Sequence, residues 1–148
     1  MSRFQYAFQK IVDLKVSEKS QAEWQLSVVV GKLMNEEQLL QKLHQERASW
    51  CERLQEASIQ SVSLSEVMTM QAYIDHLDNS IICKLRDVRQ AQAAVDESRS
   101  FLSERVMDEK VWQKTKENAF QRFRADMMVK EQHALDELAT VRFMYSAP

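Results

Sequence analysis

Apolar residues recur every three or four positions along almost the whole of this chain. In steps of seven from Leu26 the sequence reads Leu26, Leu33, Leu40, Arg47 and Leu54. The companion series is Val29, Glu36, Leu43, Trp50 and Ala57. These are the a and d positions of five heptads, with Glu36 and Arg47 as polar exceptions. Upstream the seam runs through Phe4, Phe8 and Ile11, then weakens through Lys15, Glu18 and Ala22. That change of phase reads as a stutter. In the second half Val67, Ile74, Ile81, Val88, Val95 and Leu102 hold one heptad position without a miss. Met70, Leu77, Lys84, Ala91, Ser98 and Arg105 hold the other. The phase slips near Val106 and resumes as Phe120, Phe123, Met127, Lys130, Ala134, Leu138, Val141 and Tyr145. Six heptads on one position signal a coiled coil.

The two seams are separated by a serine-rich stretch, Ala57 to Glu66. Ser63 with Glu66 forms an S-x-x-E capping box, in which the serine oxygen accepts from the third helical N–H and the glutamate bonds back. Clustered serines also compete locally for backbone hydrogen bonds, which favours a turn. A connection this short makes the helices antiparallel. The pattern therefore predicts an all-α fold, two long helices forming an antiparallel coiled-coil hairpin in a single domain over 1–148. Helix one covers about 3–57, the turn about 58–62, helix two about 63–143, and a flexible tail 144–148. At 1.5 Å per residue the helices are roughly 80 Å and 120 Å long. A turn centred near residue 60 sets Trp50 opposite Met70 and Phe8 opposite Trp112. Helix two then outruns helix one, leaving the seam of Phe120, Phe123, Met127, Leu138 and Val141 uncovered, and an uncovered apolar stripe reads as a partner site.

Composition sharpens the picture. The chain has 148 residues, one glycine (Gly31) and one proline (Pro148), where roughly ten and seven are usual. Glycine-rich phosphate loops and hairpin-rich β folds are excluded, because each needs several residues of positive φ. Gly31 stands alone inside helix one, a soft point or a tolerated one. A net charge of −2 argues against a nucleic-acid partner, which would call for a basic surplus. No run of about 18 apolar residues is present, so no direct membrane insertion is expected. Polar interruptions between Phe4 and Leu14 argue against a signal peptide. The expected location is cytoplasmic, with Cys51 and Cys83 reduced. Antiparallel pairing holds those cysteines about 20 Å apart, far beyond disulfide reach.

Candidate chemistry adds little. His133 and Glu137 share a helix face at i, i+4, but two ligands do not make a metal site. The acidic pairs Glu36-Glu37, Asp96-Glu97, Asp108-Glu109 and Asp136-Glu137 lack a pocket to desolvate them and read as solvated faces. No nucleophile elbow is available. Neither an enzyme nor a cofactor is expected. Charge is uneven along the hairpin: 61–80 carries Glu66, Asp75 and Asp78 with no Lys or Arg, while 110–124 carries Lys110, Lys114, Lys116, Arg122 and Arg124 against Glu117.

Three stretches then fall in order on the predicted hairpin. Phe4 to Lys15 looks like an F-x-F-Q-K-L-L-x-L-K opening. Ser65 to Ile81 matches Q-x-F/Y-I-x-x-L-E/D-x-x-I through Gln71, Tyr73, Ile74, Leu77, Asp78 and Ile81. Glu131 to Ala139 looks like E-Q-K-x-L-D-E-x-A, with His133 at the usual basic place. Together they resemble the FliJ family of flagellar type III export proteins, in its Bacillus-type form. The resemblance implies a hairpin similar to the γ-subunit stalk of rotary ATP synthases. It implies an open end, holding both termini, inside the ring of the hexameric flagellar export ATPase. It also implies contact of the turn-side part of helix two with the cytoplasmic domain of the export gate protein, escort of export substrate chaperones, and peripheral association with the membrane at the flagellar base. By position, the gate-facing residues would be Tyr73, Leu77, Ser80 and Lys84. The ATPase-facing residues would be Phe8, Ile11, Leu14, Gln132, Asp136 and Glu137. Two other readings stay open: a cytosolic coiled-coil scaffold or tether without an ATPase, self-associating in isolation, and the related stalk protein of a virulence secretion system.

Overall fold

The structure, a computed structural model, describes residues 3–146. It holds two helices, α1 (Gln9–Ile59) and α2 (Leu64–Ser146). They are joined by Gln60 to Ser63, so the predicted two-helix hairpin is the fold. The turn lies where the serines place it. The Gln60 N–H donates to the Glu56 carbonyl at 3.1 Å, and the Ser58 hydroxyl to the Gln55 carbonyl at 2.6 Å. The forward half of the capping box forms: the Glu66 N–H donates to the Ser63 hydroxyl oxygen at 3.3 Å. Among the described residues no helix is long and apolar enough to cross a membrane.

Contacts group the chain into two units. One is Gln21–Ser103, in which the seam follows the heptads closely. Every a and d position from Leu26 to Ala57 and from Val67 to Leu102 is partly or fully buried. Ala22, Ala57, Ile74, Leu77, Ile81 and Val95 are buried outright. Burying a leucine or isoleucine side chain stabilises by about 1.5–3 kcal/mol. The polar exceptions are paired across the seam: Lys84 Nζ lies 2.9 Å from Glu36 Oε2, and the Arg47 guanidinium bonds the Asp78 carboxylate. Removing Lys84 or Arg47 would leave a half-buried carboxylate without that partner. Trp50 meets Tyr73, with ring centroids 4.8 Å apart, where the simple register sets it opposite Met70. The offset is just under one helical turn. Gly31 is an exposed residue of α1, and a Cβ built there meets nothing within 4 Å.

The other unit joins the chain up to Ser20 with the chain from Glu104 onward. Here ions take over where the apolar seam weakens. Lys19 pairs with Glu109 at 2.7 Å, Arg105 with Glu18 at 3.3 Å, and Lys15 bridges Glu18 and Asp108 at 3.5 and 4.0 Å. Phe8 meets Trp112, centroids 6.1 Å apart, in the expected register.

Two boundaries differ from expectation. Helix one starts at Gln9, not near residue 3. The Tyr6 carbonyl accepts from the Gln9 N–H at 3.1 Å, and the Phe8 carbonyl from Ile11 and Val12 at 3.0 and 3.1 Å. The segment before Gln9 is unwound because Phe4 reaches Phe120 and Phe123, with centroids 5.2 and 5.4 Å away. Trp112 and Phe120 are eight residues apart on a helix, about 12 Å. Four helical residues from Phe8 to Phe4 span only about 6 Å, whereas four extended ones reach about 13 Å. At the other end, residues 144–146 of the expected flexible tail are helical. Nothing from Arg142 to Ser146 breaks a helix, since the stretch holds neither glycine nor proline. Residues 147 and 148, Pro148 among them, lie outside the described residues.

Candidate partner-binding site

On the turn side, the four gate-facing candidates divide into different roles. Tyr73 is partly buried beside the seam. Its hydroxyl donates to the Glu46 carboxylate, and its ring packs on Trp50 and, at 6.0 Å, on His76. The Glu46 bond holds the Tyr73 phenol above its ordinary range, with partial desolvation adding to it. Leu77 is 2% exposed and belongs to the core. Lys84 is held by Glu36 and, at 3.3 Å, by Asp87. The Glu36 hydrogen bond keeps its ammonium pKa raised despite some desolvation. Ser80 and Lys84 line a shallow groove of about 420 Å³ with Leu43, His76, Asn79, Cys83 and Asp87. Of the four candidates, Tyr73, Ser80 and Lys84 are partly open to solvent, and Leu77 is buried. Arg53 lies over the Trp50 ring, 4.8 Å from its centroid, and extends the aromatic cluster.

The ATPase-facing candidates form two groups that the structure keeps apart. Phe8 and Leu14 are 51% and 54% exposed, and Ile11 is partly buried. Gln132, Asp136 and Glu137 are exposed on α2, with Gln132 bonded to Asp136 at 3.1 Å. Since Phe8 faces Trp112, Gln132 lies about 30 Å further along that helix. The overhang is real from Met128 onward: all residues 128–146 are exposed, among them Leu135, Leu138, Val141, Phe143 and Tyr145. Nearer the middle of α2 the expectation of an uncovered seam fails. Phe4 packs on Phe120 and Phe123, and Phe123 and Met127 are partly buried. The Tyr6 hydroxyl is shut away from solvent with no hydrogen-bond partner, a cost of about 1–3 kcal/mol.

Among the described residues no three His, Cys, Asp or Glu side chains gather to hold a metal ion. Cys51 and Cys83 are free thiols.

Residues 4–147 match the family model described as Flagellar FliJ protein. The chain belongs to the FliJ family. It is 26% identical over 146 residues to the Flagellar FliJ protein of Bacillus subtilis (strain 168), covering 95% of this chain and 96% of that one. Among solved structures it resembles a protein of Chlamydia trachomatis described as a homologue of YscO, with a TM-score of 0.68, 16% identity and 97% of each chain covered. That likeness speaks to the fold, a long helical hairpin shared beyond recognisable sequence. In this FliJ-family chain the Glu46–Tyr73–Trp50–Arg53 cluster escaped sequence reasoning, apart from the place of Tyr73 beside the seam. A second apolar groove, lined by Trp24, Val28, Val29, Ala94 and Phe101, escaped it too. Trp24 falls off the heptad positions and is 68% exposed.

Proposed function

We propose that this protein is a non-enzymatic stalk of flagellar type III export. In this reading it couples the hexameric export ATPase to the cytoplasmic domain of the export gate and escorts substrate chaperones at the membrane base of the flagellum. Membership of the FliJ family supports the flagellar setting. The observation that carries the stalk reading is the stretch after Met127, nineteen residues of exposed helix whose apolar face is left uncovered by the described residues. Such a face is stabilised when another protein covers it. Phe8 and Leu14, also exposed and apolar, would extend the same contact, with Gln132, Asp136 and Glu137 as its polar rim. At the turn side, Tyr73 and Ser80 would meet the gate, with Lys84 at the edge.

The test is the hydrolysis rate of purified export ATPase with and without the protein, alongside co-sedimentation. Stimulation with co-sedimentation supports the stalk reading; neither effect rejects it in favour of a scaffold without an ATPase. The stalk of a virulence secretion system is a second reading only in so far as the Chlamydia protein shares the fold.

A further inference from the structure

We propose that residues 3–8 form a displaceable strap: in the free protein they mask the α2 face at Phe120 and Phe123, and when a partner takes that face they wind onto the start of α1. Three observations carry this. First, the segment is unwound against its own pattern. It contains no glycine or proline, and Phe4, Phe8 and Ile11 fall at i, i+4 and i+7, the spacing of one helix face. The docking of Phe4 on Phe120 and Phe123 accounts for a helix that waits until Gln9. Second, the docked state is imperfect. The Tyr6 hydroxyl is buried without a partner, so the strap holds by ring packing while one polar group goes unsatisfied. Third, the masked face continues into the fully exposed apolar stretch after Met127. A protein that covers that stretch and advances along α2 meets the strap next, and Phe120 and Phe123 are what it would gain by displacing it.

The two states differ by a local exchange. Docked, Phe4 packs on Phe120 and Phe123, leaving Phe120 39% exposed, and α1 begins only at Gln9. Released, α1 gains helix toward residue 3, and the phenylalanines face the partner. Since the alternatives oppose one another, a partner shifts their populations only through the contacts it makes in the released state.

The strap is tested first on the protein alone, by backbone chemical shifts of residues 4–8 in wild type, Phe4→Ala and Tyr6→Phe. Phe4→Ala should move Gln5 to Phe8 to helical values, and Tyr6→Phe should leave them non-helical. Non-helical shifts in Phe4→Ala would overturn the strap, since the segment would then have no helical state to adopt. The partner step rests on the ATPase reading above and is measured as affinity for purified export ATPase. Phe4→Ala should bind several-fold tighter than wild type. Tyr6→Phe, which keeps the ring and removes the orphan hydroxyl, should bind several-fold weaker. The reverse order would show that Phe4 and Tyr6 themselves belong to the binding surface and overturn the strap. Helical shifts in Phe4→Ala with no ATPase binding by any variant would uphold the strap and reject the ATPase as its partner.

Discussion

Lys84 Nζ lies 2.9 Å from Glu36 Oε2, and both residues occupy seam positions that neighbouring heptads fill with apolar residues, Val29 and Leu43 in one series and Leu77 and Ala91 in the other. An ion pair at such a place gives up apolar burial and fixes which turn of one helix meets which turn of the other. Arg47 with Asp78 and Arg105 with Glu18 repeat the device. Reversing one charge, Lys84→Glu, should lower the melting temperature by a few degrees. The exchange of both, Glu36→Lys with Lys84→Glu, should recover most of the loss. A double variant no better than the single one would mean that the pair does not set the register.

Leu77→Ala should cost about 2–5 kcal/mol in chemical unfolding, because Leu77 is 2% exposed and its removal leaves a cavity. Any loss of gate binding by this variant would follow its stability. Ser80→Tyr, which fills the groove beside His76 and Asn79, should leave the melting temperature nearly unchanged and weaken binding to the cytoplasmic domain of the gate.

Gly31→Ala should stabilise by about 0.5–1 kcal/mol, the usual helix-interior difference. The added methyl meets no neighbour within 4 Å. An unchanged or lowered unfolding midpoint would mean that the backbone at Gly31 departs from helix in solution.

Tyr73 should ionise above the ordinary phenol range, since its hydroxyl donates to Glu46 and its pKa is raised. The sign follows from the direction. The stabilisation is fully present below the ordinary phenol value of about 10 and is lost as pH rises through the higher folded-state value. Ultraviolet titration of tyrosinate should show one late step in wild type that Tyr73→Phe removes and Glu46→Gln shifts down.

Most of the fold was legible because heptad positions report burial directly. From Leu26 to Ala57 and from Val67 to Leu102 no a or d position is exposed. Legibility ended where a distant contact outweighed a local pattern. Phe4, Phe8 and Ile11 have helical spacing, and the docking of Phe4 on Phe120 and Phe123 accounts for the unwound start. After the slip the expected seam holds at Phe123 and Met127 and misses at Phe120, which stays 39% exposed while Ala119 beside it is partly buried. Of the candidate partner residues, Tyr73 fell beside Ile74 as the pattern implied. The burial of Leu77 followed from its own seam position, which weighs against it as a contact residue. Nothing local marked Glu46 and Trp50 as partners of Tyr73, because the offset that brings them together is set by packing across the hairpin.

The stalk reading stands or falls on the exposed end of α2. The most direct measurement is stimulation of purified export ATPase by the full chain and by a chain ending at Met127, with both melting temperatures recorded. The full chain should stimulate; the shortened chain should melt within a few degrees of it and fail to stimulate. No stimulation by the full chain, or equal stimulation by the shortened one, would contradict the account.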